Sequence, residues 1–199
     1  MYKKETLGEK DMNIMDERMI DSFLGEIKRQ CEYVFMSVGI LNSSLTPNGG
    51  GANATFYALE NLISSLANIS KILYPTEKYE ERGEALRDKL EIKEDSEAFY
   101  SQKSETARKF RDILERYDEY FEEWYKEGRN NIIAVCNVGP RNNIIDEKAA
   151  SYLRHYDNTK ASFIFLDEEY SILPIIKETD EIYNKILNIE KEKFKNSSF

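Results

Sequence analysis

Apolar side chains recur every three or four positions along most of this chain, and turn residues stand where that rhythm stops. From Asp16 to Leu45, Met19, Ile20, Phe23, Leu24, Ile27, Cys31, Val34, Val38 and Leu41 share one helical face. The spacing predicts a long helix that ends at "TPNGGG", Thr46 to Gly51. A second helix is expected over Ala52 to Tyr74, with Phe56, Leu59, Leu62, Ile63, Leu66, Ile69, Ile72 and Leu73 apolar and Pro75 as the stop. Its small residues Ala58, Ser65 and Ala67 invite close approach of a neighbouring helix. A third helical piece, Glu77 to Leu90, would bury Leu86 and Leu90. A polar connection follows, with Ser96 placed to cap what comes next. In the fourth helix Phe110, Ile113, Leu114, Tyr117, Phe121 and Trp124 form a stripe expected to be buried, and Gly128 suits its C-terminus.

Beyond Gly128 the pattern changes. "NIIAVCNVGP" is short and β-branched, and reads as a strand or an extended buried segment. Tyr152–Tyr156 and Ser162–Leu166 read as a β-hairpin around the turn "DNTK". A final helix, Leu173 to Phe194, carries Ile176, Ile182, Tyr183, Ile186, Leu187 and Ile189, and "KNSSF" is expected to fray. The expected fold is therefore mainly α: an antiparallel bundle of four or five helices with a small β-hairpin near the C-terminus. As one domain it would divide into a bundle over about 12–128, a strand and hairpin over about 130–170, and a helix over about 173–194.

Composition narrows the function. The chain has 199 residues, a net charge of -9, 41% hydrophobic and 33% charged residues. That balance argues against a surface devoted to nucleic acid, but leaves room for a local basic cleft at "RKFR" (Arg108–Arg111) or "KEKFK" (Lys191–Lys195). The two cysteines, Cys31 and Cys136, have no metal-ligand spacing and are expected to be reduced thiols in a cytoplasmic protein. Neither a signal peptide nor a membrane span is expected. The glycine loop lacks the Lys-Ser/Thr of a phosphate loop. Glu115, Asp118, Glu119 and Glu122 lack the Glu-x-x-His companion of helical metal sites, so a solvated acidic face is expected, with no metal and no cofactor.

The remaining chemistry lies in "RKFRDILERYDEYFEEW". Arg111–Glu115 and Asp112–Arg116 are four apart, and as surface pairs would each add only about 0.2–0.5 kcal/mol. The same stretch resembles the motif of HEPN domains (higher eukaryotes and prokaryotes nucleotide-binding), in which an Arg and a polar residue precede a His four to six positions along. Arg111 takes the place of the Arg and Asp112 that of the polar residue, while Arg116 stands at the His position. "LANISKILYP", "RGEALRDKL", "NVGP" and "RHYDNTK" resemble bacterial proteins of this helical type, roughly from Tyr33 to Ile182.

The resemblance implies a homodimeric helical bundle in a toxin–antitoxin or antiviral setting, partnered by RNA, a nucleotide, a cognate antitoxin or another protein. The family's active members are metal-independent ribonucleases. Arg116 suits phosphate binding but not proton transfer, since its pKa lies far above neutrality. The expectation is thus a degenerate, non-catalytic module. The alternatives are an active ribonuclease that borrows the chain's one histidine, His155, and an unrelated helical interaction domain of phage or mobile-element origin. The candidate catalytic residues are Arg111, Arg116 and His155. The candidate phosphate- or partner-binding set is Arg108, Lys109, Arg111, Asp112, Glu115, Arg116 and Asp118.

Overall fold

In a computed structural model the chain is mainly helical, with a small β region before its last helix. Residues 9–92, 100, 105–127, 132–141 and 150–197 are described, with side chains except at 9–16, 132–134 and 197. Ser96 and Gly128, the expected caps, lie outside them. The described helices are α1 (Glu9–Ser44), α2 (Gly51–Leu73), α3 (Glu80–Lys89, after a 3-10 turn at Glu77–Tyr79), α4 (Glu105–Glu115), α5 (Tyr117–Lys126) and α6 (Ile172–Ser197). None is long and apolar enough to cross a membrane.

α1 and α2 form an antiparallel hairpin. Ile27, Cys31 and Val34 of α1 and Leu59, Leu62, Leu66 and Ile69 of α2 are fully buried in one cluster. Each such α2 side chain contributes about 1.5–3 kcal/mol by leaving water. The glycines of the loop serve this turn. Gly50 has φ +90°, and a Cβ at Gly49 would sit 1.8 Å from the Ser43 carbonyl oxygen. α6 runs antiparallel to α1, with Tyr183 edge-on to Phe35 at 5.4 Å and Lys193 paired with Asp21. It continues through Ser197, so Lys195 and Asn196, expected to fray, are helical.

The expected fourth helix is two. Arg116, at φ −130° and ψ 38°, breaks the helical path between α4 and α5. The break rotates the apolar stripe, so Phe110, Ile113 and Trp124 are buried while Leu114, Tyr117 and Phe121 are 41%, 38% and 37% exposed. A continuous helix would have buried all six on one side.

The β region exceeds a hairpin. Its strands are β1 (Ile132–Ala134), β2 (Asn137–Val138), β3 (Ala150–Tyr152), β4 (Arg154–Asp157), β5 (Ser162–Phe165) and β6 (Glu168–Ser171). The expected hairpin is β4–β5, with Arg154 opposite Phe165 and Asp157 opposite Ser162. β6 adds a second antiparallel pairing, and β2 joins β4 in parallel, in the order β2-β4-β5-β6. β1 pairs with β3, also in parallel. Both parallel pairings share one register: each residue meets the one eighteen further along, from Ile132 with Ala150 to Val138 with Tyr156. Strand alternation gives the four-stranded sheet two faces. Tyr156, Phe163, Phe165 and Tyr170 join the helical core, whereas Ile164 faces a smaller cluster with Ala150 and Tyr152.

Candidate functional site

The C-terminus of α2 gathers much of the chemistry that the sequence singled out. A helix ends in carbonyls without intrahelical partners and with partial negative charge. Arg87 Nη1 donates to the Leu73 carbonyl at 2.6 Å, and Arg111 Nη1 donates to the Tyr74 carbonyl at 3.1 Å. Arg87 is buried, lies over the Tyr74 ring at 4.7 Å and also bonds Glu80 at 2.8 Å. Gly83 permits this packing, because a Cβ there would lie 2.6 Å from Pro75 Cδ and 2.9 Å from the Leu73 carbonyl oxygen. "LANISKILYP", "RGEALRDKL" and Arg111 thus meet at one helix end.

The other candidates are dispersed. Arg116 sits exposed at the helix break, and its guanidinium pairs with Glu119, which raises the arginine's pKa. Its main-chain N–H, rather than its side chain, meets Asp112, through the Asp112 carbonyl at 2.9 Å. Glu115 turns to Lys71 at 2.7 Å, and that contact, with a smaller contribution from Arg111, lowers its carboxyl pKa. Lys109 pairs with Glu168, and Arg108, Asp112 and Asp118 are exposed. In the second basic stretch, Lys193 pairs with Asp21 and Glu17. Asp118, Glu119, Glu122 and Glu123 of α5 are exposed.

His155 lies elsewhere. It is 1% exposed on β4, on the sheet face turned away from α4, with Tyr152 edge-on at 5.3 Å. Burial holds its pKa below the usual imidazole range; Arg141 lowers it further, and Asp157 and Glu169 pull it upward. The Gly139 main chain also pulls weakly upward, yet among the described residues neither ring nitrogen has a partner of normal hydrogen-bond geometry. Asp157 accepts from the Thr159 hydroxyl at 2.6 Å and the Thr159 N–H at 3.0 Å, an Asx turn that closes "DNTK". The structure therefore does not bring His155 to Arg111 or Arg116.

What it does build is a pocket of about 240 Å³ between α2, α4 and the sheet. Ile63 and Ser64 of α2, Phe110, Ile113 and Leu114 of α4, and Phe163 and Phe165 of β5 form its walls. Tyr117, Glu60 and Arg154 bring the polar groups. Arg154 donates to Glu60 at 2.7 Å and to the Tyr117 hydroxyl at 3.0 Å. Burial alone would lower its pKa; Glu60 and Tyr117 more than offset this, so the guanidinium stays charged. Rings continue outward from the pocket in near-parallel succession. Phe163–Phe165, Phe165–Tyr117, Tyr117–Phe121 and Phe121–Trp124 have centroids 5.8, 6.0, 6.2 and 6.1 Å apart. The ladder ends where Trp124 Nε1 donates to Asp167 at 2.7 Å.

Of the pocket's residues, sequence reasoning singled out none as functional. "RHYDNTK" contained Arg154, but its partner Glu60 is ninety-four residues away. In the sequence Leu114, Tyr117 and Phe121 continue a core stripe, because the break at Arg116 has no helix-breaking residue to announce it. No family model matches the chain, and no curated protein or solved structure matches it.

Proposed function

We propose that the chain is a non-catalytic binding module whose recognition site is the pocket between α2, α4 and the sheet. The observation that carries this reading is an apolar cavity opening beside partly exposed, stacked rings, with a fixed Arg154–Glu60 pair at its edge. Such a site offers an apolar anchor a dry wall and a polar group two oriented partners. The resemblance to HEPN domains adds to this proposal a homodimer in a toxin–antitoxin or defence setting. Binding without cleavage is supported by the placing of the candidate residues. Arg111 is engaged in holding a helix end, Arg116 faces Glu119, and the imidazole lies across the sheet.

The test has two arms. Purified protein, incubated with mixed RNA in EDTA, leaves the RNA intact. Indole, a minimal aromatic probe, gives saturation-transfer signals with the wild type that are lost in Ser64→Phe, where a ring fills the pocket from its partly buried edge. Cleavage abolished by Arg111→Ala, or indole signals that survive Ser64→Phe, would overturn the proposal.

A further inference from the structure

The charge around the pocket specifies its occupant. α5, which carries Tyr117 and Phe121, also carries Asp118, Glu119, Glu122 and Glu123 against the single base Lys126. Glu119 and Glu122 pair with Arg116 and Lys126. Among the described residues Asp118 and Glu123 form no ion pair. Glu60 fronts the pocket itself. Next to the pocket, and sharing Ile113 and Phe165 with it, a second cavity of about 370 Å³ is lined by Glu123, Asp167 and Glu168 together with Tyr120, Trp124 and Lys109. A phosphodiester laid along this surface would meet uncompensated carboxylates. A cationic segment would meet complementary charge, which steers encounter and fixes orientation.

We propose that the pocket takes an apolar anchor side chain from a basic segment of another protein, with the segment's cations lying over α5. This rests on the binding reading above and adds the class of partner. Tyr117 at the pocket and Glu123 are six residues apart on α5, about 9 Å along its axis, and an extended chain advances about 3.3 Å per residue, so anchor and cation stand about three residues apart. The anchor fills the space beside Leu114, Phe163 and Phe165, and the cation reaches Glu123.

Trp124 reports the event, because it is the only tryptophan and ends the ring ladder that begins in the pocket. Three synthetic hexapeptides serve as probes, each titrated into the full chain while tryptophan emission is followed. The first has one leucine followed three residues on by a lysine–arginine pair. The second replaces that pair with two glutamates, and the third replaces the leucine with glycine. The basic anchored peptide is expected to bind at least about tenfold more tightly than either control and to weaken as salt is raised. Ser64→Phe is expected to abolish its binding. Asp118→Lys with Glu123→Lys, both exposed and outside the pocket's lining, is expected to remove the preference for cations while leaving indole binding intact.

Equal binding of the acidic and basic peptides would overturn the basic-partner inference. Displacement of the peptide by a uridine oligonucleotide would do the same. Sedimentation of the wild type covers one further occupant: a dimer that Ser64→Phe dissociates would put a second copy in the pocket and also overturn it. Indole binding without peptide discrimination sinks this inference alone; loss of indole binding sinks the binding reading with it.

Discussion

Replacing Arg111 with alanine separates a helix-capping arginine from a phosphate-binding one. If Arg111 serves mainly to hold the C-terminus of α2, its loss shows in stability before any ligand is added. A hydrogen bond from a charged donor contributes about 1.5–3 kcal/mol when well buried. Arg111 is half-buried and its bond to the Tyr74 carbonyl is 3.1 Å, so its share falls at or just below the bottom of that range. The interaction with the helix end is about 0.3–1 kcal/mol at a comparable site and overlaps with the bond rather than adding to it. About 1–1.5 kcal/mol is therefore expected. For a chain of 199 residues that is a fall in Tm of roughly 2–5 °C. In urea the midpoint is expected to drop by about 0.5 M at unchanged slope. Arg116→Ala is the internal control: its side chain is exposed and, among the described residues, meets only Glu119 and the Tyr120 ring of the adjoining helix, so its stability is expected to stay close to that of the wild type. Equal stabilities for Arg111→Ala and the wild type, or an Arg116→Ala variant as unstable as Arg111→Ala, would refute the reasoning.

Three other outcomes follow from the geometry. Gly83→Ala places a methyl group against Pro75 and the Leu73 carbonyl and is expected to destabilise by about 1–3 kcal/mol in the same urea assay; a neutral result would mean that α3 slides freely on α2. His155 has its pKa lowered in the fold by burial, so the unfolded chain binds the proton more readily. Its contribution is intact above about pH 6.5 and declines as pH falls below it, by at most about 1.4 kcal/mol per unit. Unfolding of the wild type and His155→Leu between pH 7.5 and 5 checks this, the variant's curve being flatter; parallel curves would refute it. Cys136 is exposed, whereas burial pushes the Cys31 thiol up to about 12. A thiol reagent at pH 8 is expected to label one cysteine in the native protein and two in denaturant, and mass analysis should place the native label on Cys136.

The helical scaffold was legible because its signals are local. The spacing around Leu59, Leu62, Leu66 and Ile69 and the stop at Pro75 locate α2 within one residue at each end. α1 begins earlier than its apolar rhythm implied, at Glu9, because the preceding polar residues are also good helix formers. Of the strand pairings, the β4–β5 hairpin around "DNTK" was legible and the others were not. Asn137 and Val138 form only a two-residue strand, and what defines it is a parallel neighbour eighteen residues on. β6, "EEYS", has little β-propensity of its own and is set by pairing with β5. The pocket was hidden for a similar reason. Arg154 and Glu60 look like ordinary surface charges until the sheet is laid against α2. Arg111 is marked in the sequence as a phosphate-binding candidate, but the carbonyl that it holds can be named only once α4 is placed beside α2.

The common register of the two parallel pairings has a consequence for folding fidelity. Because β1–β2 and β3–β4 keep the same offset, they act as one creased ribbon rather than two independent sheets. A slip of one residue in a strand exchanges its inner and outer faces. Here that error would be penalised twice along the same ribbon. It would turn Tyr156 away from the helical core, and it would turn the buried Tyr152 out of the smaller cluster. Two unrelated packing environments thus check a single alignment, and a ribbon of such short strands finds one pairing without needing length to enforce it.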